Sequence, residues 1–457
     1  GELGAAYNRA LSILGEKGTD AAALRDHTVT RIVLRAEEIA GEAVKRELPD
    51  YYERDRKIDH ILTHRIWGLP VMLIMLAVIF YITIVGANYP SELLSSAFAS
   101  LGEIFREGLR SASCPQWAES MLIDGVYRVL SWVTSVMLPP MAIFFPLFTL
   151  LEDVGYLPRA AFNLDKYFSR ANACGKQALT MAMGLGCNAA GITGCRIIDS
   201  PRERLIAILT NVFMPCNGRF PALITLIGMI TAAGAGGGFV NALMLTGVIA
   251  LGAALTFGIS RLLSKTVLKG VAASFALELP PYRRPQIGKV LVRSLFDRTI
   301  FVLGRAVTVA APAGLVIWLL ANISLGGQSL LSCCSEFLDP VGRIFGMDGA
   351  ILLGFILGFP ANEIVLPIIM MIYTGQNALS DGGAAAMGEI FAQNGWTSVT
   401  ALCVMIFMLC HFPCSTACLT VKKETGSWKW TALSMAVPTA AGLILCGLIN
   451  GIYHIFM

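Results

Sequence analysis

Apolar residues in this chain come in long, nearly uninterrupted runs, separated by short polar stretches. Nine of these runs approach or exceed the 20 or so residues that a helix needs to cross a bilayer. They are Trp67–Val85, Leu122–Leu151, Gln177–Ile197, Leu205–Thr231, Phe239–Ile259, Thr299–Ile323, Ala350–Tyr373, Thr397–Leu419 and Trp430–Ile455. The stretch Ser91–Arg110 places apolar residues at helical spacing with charges between them, which predicts a helix lying on the membrane surface. Residues 1–58 are polar, with a helical apolar period around Ile32, Leu34, Ile39 and Val44, and predict a small soluble helical segment.

Two runs are abnormal for membrane helices. Gln177–Ile197 carries Gly184, Gly186, Asn188, Gly191 and Gly194; Ala350–Tyr373 carries Gly354, Gly358, Pro360, Asn362, Glu363 and Pro367. Broken backbone at membrane depth is tolerated only where it is buried in protein or lines a cavity. Composition agrees: 55% of residues are hydrophobic and 14% charged, where soluble proteins carry about 25% charge. A soluble enzyme, a disordered chain and a nucleic-acid binder are excluded. The twelve cysteines fall mostly inside apolar runs, against a secreted disulfide framework. No phosphate-cradling GxxxxGK[ST] run, HExxH or Ser/His/Asp arrangement is present.

Lysine and arginine counts set the topology. The N-terminal segment is basic, with 10 of the 35 Lys and Arg residues in residues 1–58, and is placed in the cytoplasm. Loop 86–121 has only Arg106 and Arg110, and loops 232–238 and 375–396 have none. By contrast, 156–176, 196–204, 261–298 and 422–429 are basic, with eight positives in 261–298 alone. All the basic loops share one face only if both broken segments dip in and return. That predicts seven crossings and two re-entrant segments, one opening from each side.

The two halves also echo each other. Val133–Thr134 with Pro139–Pro140 resembles Val307–Thr308 with Pro312, and Leu164–Asp165 resembles Leu338–Asp339. Gly184-Leu-Gly-Cys-Asn188 aligns with Gly358-Phe-Pro-Ala-Asn362, and Phe213-Met-Pro-Cys216 with Phe412-Pro-Cys414. The predicted fold class is therefore an all-α polytopic membrane protein, an inverted repeat with two discontinuous or re-entrant helices and a short cytoplasmic helical segment at the N-terminus. In that plan substrate sites lie near the midplane at the discontinuous helices. The expected organisation is a spacer over 1–66, a first transmembrane half over 67–264, a cytoplasmic linker over 265–298 and a second half over 299–457.

The side chains at the breaks form an unusual set. Cys187, Cys216 and Cys414 are candidate metal ligands, with Met183 and His411 as second choices. Asn188, Met214, Pro215, Asn217, Asn362, Glu363 and Ser415 are candidates for the substrate path. Thiols and imidazole suit a borderline-soft transition ion and amide or carboxylate oxygens a harder one, so a mixed set fits a ferrous ion held loosely enough to leave. The competing readings are plain packing for the cysteines and methionines, a hydrogen-bonded core histidine for His411, and an ion pair with Arg305 or Arg219 for Glu363. Cys333–Cys334 reads as part of an outside loop.

At these residues the chain resembles the membrane region of the bacterial ferrous-iron transport protein B family. The resemblance rests on Asp59-His-Ile-Leu-Thr-His64 before Trp67-Gly-Leu-Pro70, on Leu151-Glu-Asp-Val-Gly-Tyr156 with Arg159-Ala-Ala-Phe162 and Asp165, and on Met183-Gly-Leu-Gly-Cys-Asn188. Arg202-Glu-Arg-Leu205, Phe213-Met-Pro-Cys216 with Arg219 and Pro221, Pro413-Cys414 and Glu424-Thr-Gly-Ser-Trp-Lys429 extend it. The chain departs from the family where Ala189-Ala190 replaces a usual Val-Pro, and where Asn362 replaces the Lys of a usual Lys-Glu pair. The resemblance implies Fe2+ as transported substrate, a multi-pass protein of the bacterial cytoplasmic (inner) membrane with a cytoplasmic N-terminus, and no enzymatic activity in this region.

It also implies partners. GTP and Mg2+ would act only through an N-terminal GTP-binding domain, in the same protein or a separate chain, that this sequence does not contain. Residues 1–58 then read as the end of the helical spacer that follows that domain; the chain opens on Gly without a signal-peptide pattern, which predicts a C-terminal portion of a longer protein. Small accessory proteins of the iron-uptake system, membrane lipid and a second copy of the chain are the expected contacts, and nucleic acid is not. The alternatives are a nucleoside or other small-molecule permease sharing the same repeat, and a membrane protein without transport.

Overall fold

The computed structural model describes residues 21–43, 53–64, 67–169, 174–232, 238–268, 282, 286–325, 327–376 and 384–456. The described residues are mainly helical, with one two-stranded ribbon, Ser324–Leu325 against Gln328–Ser329. Six helices are long and apolar enough to cross a membrane: Pro70–Ser111, Gln116–Val154, Val240–Lys265, Val302–Asn322, Ser398–Thr425 and Trp428–Ile455. The predicted all-α polytopic class holds. The expected crossing at Leu205–Thr231 is split into Pro201–Thr210 and Phe220–Ala232, with a tight turn at Asn211–Phe213 between them.

The two halves repeat one plan. Each opens with a long apolar helix, Arg128–Val154 or Phe301–Asn322, followed by an amphipathic helix, Tyr156–Ser169 or Leu330–Ile344. A helical hairpin follows, Lys176–Gly186 with Asn188–Gly194, or Gly349–Leu357 with Val365–Thr374. A helix broken at its middle and a final long helix complete each half.

The matched aspartates of the sequence repeat do the same work in both halves. Asp165 Oδ1 accepts from Gly175 N at 2.7 Å, and Asp339 Oδ1 accepts from Gly349 N at 3.2 Å, so each ties the start of its hairpin to the amphipathic helix before it. Both glycines are required by close approach: a Cβ would lie 2.5 Å from Ala161 O at Gly175 and 1.8 Å from Ser335 O at Gly349. Gly349→Ala cannot be accommodated without moving the helix Leu330–Ile344. It should cost about 1–3 kcal/mol, the usual cost of overpacking, read as a lowered thermal midpoint of the purified protein.

Both hairpins return to the side they enter from. At the mouth of the first, Lys176 Nζ meets Asp199 at 2.6 Å; at the mouth of the second, the Tyr373 hydroxyl donates to Asp348. Between their arms, small residues let the backbones close up, as where Gly191 lies against Thr180 O and Gly354 against Ile369. The basic loops meet on one face, where Arg159 bonds Asp59, Arg196 bonds Glu424 and Arg202 donates to Leu268 O. The second hairpin opens from the other.

Three expectations are corrected. Ser91–Arg110 is not a separate surface helix: Gly68–Ser111 is one continuous 44-residue helix that runs through Pro90, because its helical period never lapses. Cys333 and Cys334 belong to the helix Leu330–Ile344, not to a loop; Ser329 caps it by accepting from Ser332 N at 3.2 Å. The segment 375–396, read as a loop, contains the helix Ala384–Gln393. The soluble helix around Ile32, Leu34 and Ile39 is present as Ala21–Ala43, with those three side chains exposed; Val44 lies outside the described residues.

Candidate substrate path where two hairpins meet

Each hairpin turns on one extended residue. Cys187 has φ −152° and ψ 124°, and Ala361, its repeat mate, has φ −153° and ψ 128°. An extended residue between two helical arms releases carbonyls from the helix ladder, and those carbonyls are then used. The break in each half's next helix docks on them: Asn217 N donates to Gly186 O at 3.2 Å, and Ser415 N donates to Phe359 O at 2.8 Å. Ser415 Oγ adds a bond to Pro360 O at 3.2 Å. The pairing Cys216 with Cys414 read from the sequence is thus reproduced as a pair of equivalent docking points.

The tips then come together across the two halves. The Asn362 amide spans from Cys216 Sγ, 3.8 Å away, to His411 Nε2, 3.1 Å away. The docking of Asn217 N on Gly186 O brings Cys216 to the turn that holds Cys187, and Cys414 immediately precedes Ser415, which docks on the second tip. Glu363 packs against Gly218. Of the candidate residues, the three cysteines, Asn217, Asn362, Glu363, His411 and Ser415 are gathered here.

Others serve the walls. Asn188 is buried, and the amide orientation that satisfies its surroundings donates to the carbonyls of Gly184, Met214 and Asn211 at 3.2–3.3 Å, so it locks the tip. Met214 packs with Phe168, Met181, Leu185 and Phe220; Pro215 follows it in the break. Met183 lies between the arms of the first hairpin, beside Gly194. It also lines a cavity of about 650 Å³ bounded by Phe148, Ala190, Arg305 and Lys423, which opens toward the basic face. There, Lys176 beside Asp199 holds that carboxyl below the usual carboxylate range.

Neither arginine proposed as a partner pairs with Glu363. Arg305 Nη1 donates to Thr420 Oγ1 at 3.1 Å. Arg219, fully buried, gives Nη1 to Val212 O at 2.9 Å and to Leu409 O at 3.0 Å, and Nη2 to His411 O at 3.4 Å. One guanidinium therefore caps the broken ends of helices from both halves. The sequence carried the signal, since a charge inside an apolar run is functional by default, but not the direction of the side chain.

Among the described residues no group of three or more His, Cys, Asp or Glu side chains is spaced to hold a metal ion. His411 is committed at both ring nitrogens, with Nδ1 3.0 Å from Met408 O. An ion at the tips would meet one or two thiols together with carbonyl, amide or carboxylate oxygens, which is a set for weak, mixed coordination.

Comparison with known proteins matches the same two halves. A family model described as Gate, nucleoside recognition, matches residues 134–230 and again 303–428; a second, ferrous iron transport protein B C terminus, matches 245–297. The chain is 30% identical over 436 residues to an Fe(2+) transporter FeoB of Staphylococcus aureus (strain COL), covering 91% of this chain and 62% of that protein. It is 28% identical over 447 residues to a Porphyromonas gingivalis fusion of Fe(2+) transport protein A with Fe(2+) transporter FeoB, covering 88% and 52%. An Fe(2+) transporter FeoB of Campylobacter jejuni is 26% identical over 390 residues, covering 82% and 62%. The chain thus spans about three fifths of the length of the Staphylococcus relatives it matches. No solved structure matches it.

Proposed function

We infer that the chain is the membrane portion of a ferrous iron transport protein B, which it matches over 91% of its own length, and that it forms the path by which ferrous iron crosses the bacterial cytoplasmic membrane. The observation that carries the reading is that Cys187 and Cys216 stand where the first hairpin's turn and the broken helix dock, with Cys216 3.8 Å from the Asn362 amide of the second tip. Thiol sulfur beside oxygen donors favours a borderline ion such as Fe2+ over Mg2+ and Ca2+, which take oxygen alone. Incomplete coordination suits transport, because conduction requires a site the ion can leave. On this reading the chain is a transporter and not an enzyme.

The basic face is cytoplasmic on this proposal, by the positive-inside rule, and the 650 Å³ cavity is the exit toward it. GTP acts through a domain outside this chain, and its signal arrives through residues 1–66. A small accessory partner is supported by the Porphyromonas relative, whose name joins Fe(2+) transport protein A to the transporter. The deciding experiment is uptake of radiolabelled Fe2+ into proteoliposomes holding the intact protein, with Mn2+, Mg2+ and Ca2+ as competitors. Inhibition by Mg2+ or Ca2+ equal to that by unlabelled Fe2+ would refute the reading.

Two further outcomes are expected. Cysteines engineered into 196–204 should react with a membrane-impermeant maleimide only from the cytoplasmic side; labelling from outside would overturn the sidedness. Glu363→Gln should lower uptake about tenfold or more while leaving the protein folded, since a half-buried carboxylate without an ion pair is a costly group that a passing cation stabilises. Unchanged uptake would remove Glu363 from the path.

A further inference from the structure

We propose that His411 is a positioning residue that fixes the Asn362 amide with its carbonyl oxygen toward Cys216, so that the second hairpin supplies a hard donor beside the soft one of the first. The inference rests on the iron reading above and concerns how the ion is selected.

The argument is one of hydrogen-bond direction. His411 is buried, with Nδ1 3.0 Å from Met408 O and Nε2 3.1 Å from Asn362 Oδ1, while Asn362 Nδ2 faces Cys216 Sγ at 3.8 Å. A main-chain carbonyl only accepts, so Nδ1 carries the ring hydrogen and donates to Met408 O. A neutral imidazole then has only a lone pair at Nε2. A lone pair calls for a donor, so the amide satisfies His411 only when turned over from its placement in the structure, with the NH2 group toward Nε2. The carbonyl oxygen then takes the place of Nδ2, which lies 3.8 Å from Cys216 Sγ. The two arms of an amide have the same shape, and only such partners tell them apart. A charged ring would permit the reverse orientation, but it would put a second buried cation beside Arg219, whose Nη2 already lies on His411 O, and among the described residues no carboxylate pairs with either.

The geometry has three consequences. Both ring nitrogens are used, so His411 supports the site without coordinating in it. The Cys216 thiol can donate to Asn362 Oδ1 when the site is empty. When the thiol gives up its proton to an ion, Oδ1 is already in place as the neighbouring ligand. The repeat mate Asn188 does the opposite, spending its amide on main-chain carbonyls, so the hard donor comes from one tip only.

The test uses two conservative variants of the intact transporter in nanodiscs, with Co2+ as the probe for binding and Fe2+ for uptake. The Gln side chain can present an acceptor where Nε2 stands, whereas the shorter Asn keeps only the Met408 contact. H411N should raise the apparent KM for Fe2+ by about tenfold, the lower end of what a lost supporting contact costs a metal site, with maximal rate little changed. Its Co2+ complex should keep the thiolate-to-metal charge-transfer band and show shifted ligand-field bands. H411Q should restore both readouts. An H411N protein indistinguishable from the parent, equal loss in both variants, or an imidazole ligand detected on bound Co2+ would overturn the proposal. If the unmodified protein binds Co2+ without a thiolate band and does not take up Fe2+, the iron reading itself fails.

Discussion

Cys187→Ser and Cys216→Ser should each lower initial ferrous uptake by at least about tenfold, a change of about 1.4 kcal/mol, and the double variant should be little worse than either single one. Serine keeps the size and exchanges a soft donor for a hard one. The two thiols lie at one place, Cys187 on the extended turn of the first hairpin and Cys216 in the break that docks on that turn through Asn217 N and Gly186 O. Two groups that hold one ion act as a unit, so their losses are not additive. Because a thiol must shed its proton to bind metal, uptake by the unmodified protein should fall as pH falls, and the serine variants should show a flatter profile. Mild, additive losses with an unchanged pH profile would mean that these cysteines only pack.

Arg219→Leu should prevent recovery of folded protein. The guanidinium is fully buried and serves Val212 O, Leu409 O and His411 O. Each buried acceptor left without a donor costs about 1–3 kcal/mol, so losing all three removes about 3–9 kcal/mol. That is a large part of the total where folded proteins hold about 5–15 kcal/mol. Arg219→Lys retains the charge but can reach fewer carbonyls, and should give an intermediate yield with a lowered thermal midpoint. Size-exclusion profiles of detergent extracts check this; a symmetric peak and normal midpoint for Arg219→Leu would show that the broken ends are satisfied in another way.

The scaffold was legible because its signals are local. Runs of apolar residues, glycines and prolines in two of them, and lysines at their ends act over a few turns of helix, and they yielded the class, the repeat and the returning hairpins. The aspartates at 165 and 339 were visible as a spacing and turned out to be the same hydrogen bond twice. The helix through Pro90 was misjudged because charges between apolar residues look alike on a surface helix and on a long helix that outruns the bilayer. What the sequence could not convey is where a side chain turns at a break. Asn188 and Asn362 occupy equivalent positions, yet one bonds main-chain carbonyls of its own half and the other reaches a cysteine 146 positions away. Arg219 finds a carbonyl 190 positions away. Such choices depend on which half-helix ends arrive together, and that is settled only by the packed fold.

The opposed hairpins also shape the electric field. The cavity of about 650 Å³ open toward the basic face reaches in to Ala189 and Ala190, beside the tip of the first hairpin. The membrane potential then drops mainly between the tips and the opposite face instead of over the full thickness of the bilayer. Moving one charge through the whole potential is worth about 2.3 kcal/mol per 100 mV, and a divalent cation gains twice that. An inside-negative potential therefore does most of its work on the ion before it reaches the cavity at the first hairpin, and transport should be voltage-dependent even though no charged helix has to move.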